Sequence, residues 1–190
     1  MTKILAFAGS ARKDSLNKKL ARVAADYAQS SGADVTFIDL ADFPMPLFDQ
    51  DLESEHGLPE KAREFKQLLI EHDGFLIASP EYNSAYSALL KNVLDWASRA
   101  ETDDEPPLQA FRGKTAGLLA TSPGGLGGIR GLVVLRMLLG NLGVNVFPDQ
   151  LAVPNGFSAF AADGALTDPA LAGRVEGLVK KTIAFTDKLR

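Results

Sequence analysis

Five short stretches dominated by apolar residues, separated by segments with helical periodicity, restrict this sequence to few folds. Ile4 to Ala8, Gly74 to Ser79 and Thr115 to Thr121 are nearly continuous apolar runs, as strands covered on both faces require. Val35 to Leu40 reads as another strand, and Asn145 to Val153 as the last, interrupted by Pro148. Between them Leu16, Leu20, Val23 and Tyr27 recur at helical spacing, with Lys18, Lys19, Arg22 and Asp26 on the opposite face. Pro59 opens a second helical segment with Ala62, Phe65 and Leu69 inward and His72 at its end. A third runs from about Ser87 to Arg99, a fourth from Arg130 to Leu142, and Asp168-Pro169 caps a final one. Strands alternating with helices imply parallel β-α-β units with right-handed crossovers, and hence a three-layer α/β fold. At 190 residues the chain fits one domain spanning 1–190.

Composition removes several kinds of chemistry. With no cysteine there is no disulfide, thiol nucleophile or cysteine-ligated metal, and two histidines, His56 and His72, make a poor basis for a histidine metal site. A net charge of −4 lacks the basic footprint expected of a nucleic-acid binder. No stretch approaches the ~20 apolar residues of a membrane span, and the apolar run at Ile4 is too short for a signal-peptide core, so the expectation is a cytoplasmic protein with no membrane partner. The acids Asp49, Asp51, Glu53 and Glu55 have no metal-ligand spacing and read as a solvated run in a long loop. The segment 130–142 is apolar on more than one side, which fits either a subunit interface or a fully internal helix.

Three unusual loops each follow a strand, at the sheet edge where ligands bind in open parallel sheets. The first, Gly9 to Asn17, combines the hydroxyls of Ser10 and Ser15, the amide of Asn17 and the planar fork of Arg12 with a helix N-terminus. Such a group of donors suits a terminal phosphate. The same loop is also compatible with Ser15 or Asn17 merely capping a helix and Arg12 standing in solvent. It has one glycine where a dinucleotide fingerprint has three, and no Gly-Lys-Ser/Thr ending. The second loop, Pro80 to Ser84, presents an aromatic ring and main-chain amides. The third, Ser122 to Gly128, holds four glycines in seven residues and exposes backbone. Together they suit a flat, polar-edged heterocycle on a phosphorylated tail, a mononucleotide such as FMN.

Gly9-Ser10-x-Arg12-x-x-Ser15-x-Asn17, Pro80-Glu81-Tyr82-Asn83 with Leu90-Lys91-Asn92-x-x-Asp95-Trp96, and the glycine loop followed by Leu135-Arg136 make the chain resemble the NADPH-dependent FMN reductases. That family includes quinone-, azo- and chromate-reducing flavoproteins. The resemblance covers essentially the whole chain, including Pro46-Leu47-Phe48 and the Asp163-Gly164 turn. It implies a flavodoxin-like fold, a five-stranded parallel sheet of order 2-1-3-4-5 with helices on both faces. It also implies FMN as cofactor, NADPH or NADH as co-substrate, a quinone-like small-molecule acceptor, and a homodimer or homotetramer. Carried over by residue, Ser10, Arg12, Ser15, Leu16 and Asn17 would hold the phosphate. Pro80, Glu81, Tyr82 and Asn83 would line the isoalloxazine, chiefly through main-chain groups, and Ser122, Gly124 and Gly125 would close its pyrimidine end. Family members often carry a serine and then a Pro-Gly pair after the second motif; here Ala85, Ser87 and Ala88 stand there, so the helix start lacks a rigid proline. In this reading no side chain is a catalytic acid or base, because the flavin carries the chemistry. The alternative is an electron carrier of flavodoxin type, which binds FMN without nicotinamide turnover; Arg12 in the phosphate loop favours the reductase.

Overall fold

A computed structural model describes all residues, 1–190. Its five strands are β1 (Lys3–Ala8), β2 (Asp34–Phe37), β3 (Gly74–Ala78), β4 (Thr115–Thr121) and β5 (Asn145–Val153). All pair in parallel, in the order β2-β1-β3-β4-β5. Six helices connect or follow them: α1 (Leu16–Ser30), α2 (Gln50–His56), α3 (Glu60–Glu71), α4 (Ala88–Ala97), α5 (Ile129–Asn141) and α6 (Pro169–Leu189). None is long and apolar enough to cross a membrane.

The continuous apolar runs are explained by alternation between two covered faces. Leu5, Phe7, Phe75, Ile77, Leu118 and Ala120 point into the core under α3, α4 and α5. Ile4, Ala6, Ala8, Leu76, Ala78 and Leu119 point to the layer of α1 and α6. On that second face Ala6, Ala8 and Ala78 of the strands share a core with Ala21, Ala24, Ala25 and Ala28 of α1, small side chains that let the helix lie close to the sheet. Gly117 serves α6 in the same way, since a Cβ there would come within 2.6 Å of the Thr182 hydroxyl.

Three expectations need correction. The second strand stops at Phe37, and Leu40–Asp42 forms a 3₁₀ turn capped by Asp39 instead of continuing it. The long loop after it contains α2, and its acids are not all solvated. Asp49 caps α2 by accepting from the N–H groups of Asp51 and Leu52 at 2.8 and 3.3 Å. Glu53 pairs with Arg99 at 2.6 Å. Finally, α5 is not internal within the protomer: Leu132, Leu135 and Leu139 are buried, whereas Val133 and Met137 are 59% and 61% exposed. Pro148 sits where β5 slips register against β4, between the Ala116 and Leu118 pairs, as a residue without an N–H requires.

Candidate functional site

The first loop is held rigid by long-range contacts to main chain. The Asn17 amide donates to Thr121 O at 2.9 Å and accepts from Thr121 N at 3.0 Å, joining the start of α1 to the end of β4. That pairing commits the Asn17 side chain, so what it offers a ligand is its main-chain N–H. Ser15 caps α1, its Oγ accepting from Lys18 N at 3.4 Å, while its own proton stays available. Cap and phosphate donor are therefore compatible roles. The N–H groups of Leu16 and Asn17 make no hydrogen bond within the chain, as the first turn of any helix leaves them. Arg12 is exposed and one of its terminal nitrogens donates to Asp14 O at 2.5 Å, which curls the guanidinium over the loop. Ser10 is buried and its Oγ accepts from Arg12 N at 3.3 Å.

The second loop is a two-residue hairpin. Tyr82 N donates to Ala85 O at 2.8 Å and Ala85 N to Tyr82 O at 3.0 Å, with Asn83 and Ser84 at φ 52° and 66°. Both central residues are left-handed, the signature of the tightest hairpin turn. In place of the proline seen in many family members, Ser87 caps α4 and donates to Gly9 O at 2.6 Å, tying this loop to the first.

The third loop leads into α5, whose N-cap, Gly128, has no side chain to offer the helix. Glu81 fills that role from the second loop. Its carboxylate accepts from Arg130 N at 3.0 Å, Gly131 N at 3.2 Å and Arg130 Nε at 2.7 Å. Burial opposes ionisation of Glu81, but the hydrogen bonds from Arg130 and Gly131 outweigh it and hold the carboxyl below its ordinary range.

Ser10, Arg12, Ser15, Leu16, Asn17, Pro80, Glu81, Tyr82 and Ser122 line one open cavity of about 260 Å³. Asn83, Gly124 and Gly125 lie outside its wall, and Thr121, Pro123 and Phe157 belong to it although the sequence reading did not select them. Phe157 is 76% exposed, and a Cβ on the preceding Gly156 would approach Leu16 and Thr121 within 3 Å, so that close fit places the ring at the rim. Free helix-start N–H groups, two hydroxyls and a guanidinium at one end suit a phosphate; main chain, Tyr82 and Phe157 beyond them suit a flat ring. The residues present therefore fit FMN. A cavity this small and open leaves part of a mononucleotide in solvent, as a flavin that must meet a second substrate needs.

A parallel sheet of order 2-1-3-4-5 with a loop of unpaired helix-start N–H groups after its first strand is a flavodoxin-like architecture suited to a mononucleotide. The comparisons narrow this. Residues 2–158 match the model of the NADPH-dependent FMN reductases. The chain is 34% identical over 195 residues to an NADPH:quinone oxidoreductase of Arabidopsis thaliana, covering all of this chain and 94% of the relative. It is 33% identical over 168 residues to an NAD(P)H-dependent FMN reductase of Pseudomonas aeruginosa, covering 87% and 85%. Among solved structures, the flavoenzyme NAD(P)H:(acceptor) oxidoreductase of Paracoccus denitrificans superposes with a TM-score of 0.81 at 28% identity, over 99% and 98% of the two chains. The chain belongs to the NADPH-dependent FMN reductase family. It is thus an FMN- and NAD(P)H-dependent oxidoreductase, and the expected strand order is the one observed.

Proposed function

We propose that the protein transfers reducing equivalents from NAD(P)H to a quinone-like small molecule through FMN held where the three loops meet. The carrying observation is the cavity itself, in which free helix-start donors and Arg12 stand beside a rigid aromatic hairpin in a chain of this family. When bound, FMN supplies an N5 position that accepts hydride from the nicotinamide and a reduced ring that passes two electrons to the acceptor in a second, ping-pong half-reaction. The protein positions and polarises. Arg12, Ser10, Ser15 and the N–H groups of Leu16 and Asn17 hold the phosphate. Pro80 to Asn83 border the ring, and main chain at Ser122, Gly124 and Gly125 stabilises negative charge at its pyrimidine end. Relatives named as quinone reductases from Pseudomonas putida and Escherichia coli, 34% and 33% identical over the matched parts, support the acceptor class.

The same reading includes a homodimer or homotetramer assembled on the outward face of α5, where Ile129, Val133 and Met137 form an exposed apolar row. It also places the protein in the cytoplasm, whose reduced nicotinamide pool the reaction would draw on.

The test is an anaerobic absorbance titration of the FMN-loaded protein with NADPH and with NADH. Bleaching of the flavin band near ~450 nm within seconds, reversed by a benzoquinone, is the expected result. Tight FMN binding without bleaching by either nicotinamide would replace the reductase by an electron carrier.

A further inference from the structure

A second cavity, of about 600 Å³, lies beside the candidate flavin site and takes no part in it. It opens over the outer face of α1, between the end of the edge strand β2 and the turn at 163–166. Its walls divide by chemistry along the helix. At the end nearer the phosphate loop stand Lys18 and Lys19; Arg22, over the Phe37 ring, follows; Asp26 and Tyr27 stand side by side at the far end. Lys18 is neutralised by Asp39 at 2.6 Å, and Asp39 is also bound to Ala41 N, so neither is free for a ligand. A third acid of the wall, Asp163, accepts from Ala165 N. Lys19 and Arg22 make no ion pair, and the exposed Arg22 side chain, part of the cavity wall, sets its guanidinium carbon 3.5 Å from the Phe37 ring centroid.

Resting on the reductase reading, we propose that this cavity receives the adenosine end of NADPH, with the 2′-phosphate at Lys19 and Arg22. A guanidinium with one face stacked and its edge free can hold a phosphate by two N–H groups while its open face stacks on a purine. Lys19 adds a point charge beside it. Asp26, one turn beyond Arg22, is placed to accept from the exocyclic amine of the adenine, which gives the single acid at that end a role other than repulsion. The position also suits a dinucleotide. Arg22 follows Ser15 by seven residues, about 10 Å along the axis of one helix, so the cavity begins within two turns of the phosphate loop and an extended dinucleotide could reach both. NADH lacks the phosphate and would forgo the Lys19 and Arg22 contacts, which makes the cavity a selector for the phosphorylated coenzyme.

The experiment uses the FMN-loaded protein, with Lys19→Ala and Arg22→Ala beside the wild type and adenosine 2′,5′-bisphosphate as the calorimetric probe. Lys19 is an exposed side chain, so at least that variant keeps the fold. The wild type should bind the bisphosphate competitively with NADPH, and each variant should bind it about tenfold more weakly, the scale of one charge-assisted contact. The ratio of kcat/KM for NADPH over NADH should fall by a similar factor. No binding of the probe, or equal binding by wild type and variants, overturns the assignment. Failure of both nicotinamides to bleach the flavin would instead sink the reductase reading, while the calorimetric comparison still decides what this cavity binds.

Discussion

Replacing Glu81 by Gln tests whether the second and third loops are held together by one charge. The carboxylate is 7% exposed and takes two main-chain N–H groups from the first turn of α5 as well as the Arg130 side chain. Glutamine has the same shape but offers only one acceptor oxygen, and its NH₂ faces donors. The lost charge-assisted bonds and the lost interaction with the helix N-terminus together amount to about 2 kcal/mol. The figure stays below that for breaking a fully buried pair, because Arg130 is 60% exposed and regains water. In a chain of this length that corresponds to roughly 4–8 °C in Tm. The pH dependence has a definite sign. A carboxyl held below its ordinary pKa contributes stability that is fully present above the unfolded value and is lost as pH falls through the folded one. Urea denaturation of both proteins should therefore show the full gap at pH 7, closing as the solution is acidified through the carboxylate range. Equal midpoints at pH 7, or a gap that does not change with pH, would refute the latch.

Three further outcomes are expected. Arg12→Ala should weaken FMN binding by about 2 kcal/mol, near thirtyfold in Kd, measured by quenching of flavin fluorescence; unchanged affinity would remove Arg12 from the phosphate site. Ser84→Gly should raise stability by about 0.5–1 kcal/mol in thermal melts, because serine at φ 66° is strained where glycine is not; a lower Tm would contradict that account of the hairpin. Val133→Glu combined with Met137→Glu should reduce the sedimenting mass to that of one chain, and a mass equal to that of the unaltered protein would rule out α5 as the interface.

The sequence makes the frame legible because burial on two faces leaves an unmistakable mark: β1, β3 and β4 can be apolar almost throughout only if both sides are covered. The ends of β4 and β5 fall where the apolar runs end. What stays hidden depends on partners far away in the chain. Helix α2 has seven residues and no buried one; it exists because Asp49 caps it, Glu53 meets Arg99, and the neighbouring Phe48 packs edge-on against Trp96. Nothing local in an acidic run announces those contacts. Glu81 and Arg130 stand 49 residues apart, and Asn17 and Thr121 stand 104 apart. In the first case a glycine at the N-cap was the only available hint that a helix needed its acid from elsewhere. The cavity along α1 is equally hidden, since its walls come from α1, β2 and the turn at 163–166, which nothing in the sequence brings together.

The contacts that sequence patterns miss are the ones that preorganise the site. Sheet and helices fix where the three loops begin, but the loops are locked in place by side chains bonding to the main chain of distant segments: Asn17 to Thr121, Ser87 to Gly9, and Glu81 to the start of α5. A reaction whose chemistry belongs to a bound ring asks the protein for position and fixed dipoles, not for an acid or base of tuned pKa. Residues that would look catalytic in another enzyme are therefore structural here. Glu81, the buried carboxylate nearest the cavity, has its ionised form stabilised by Arg130 and Gly131, and this opposes its protonation at neutral pH. Its effect on turnover should pass through the geometry of the loops it joins.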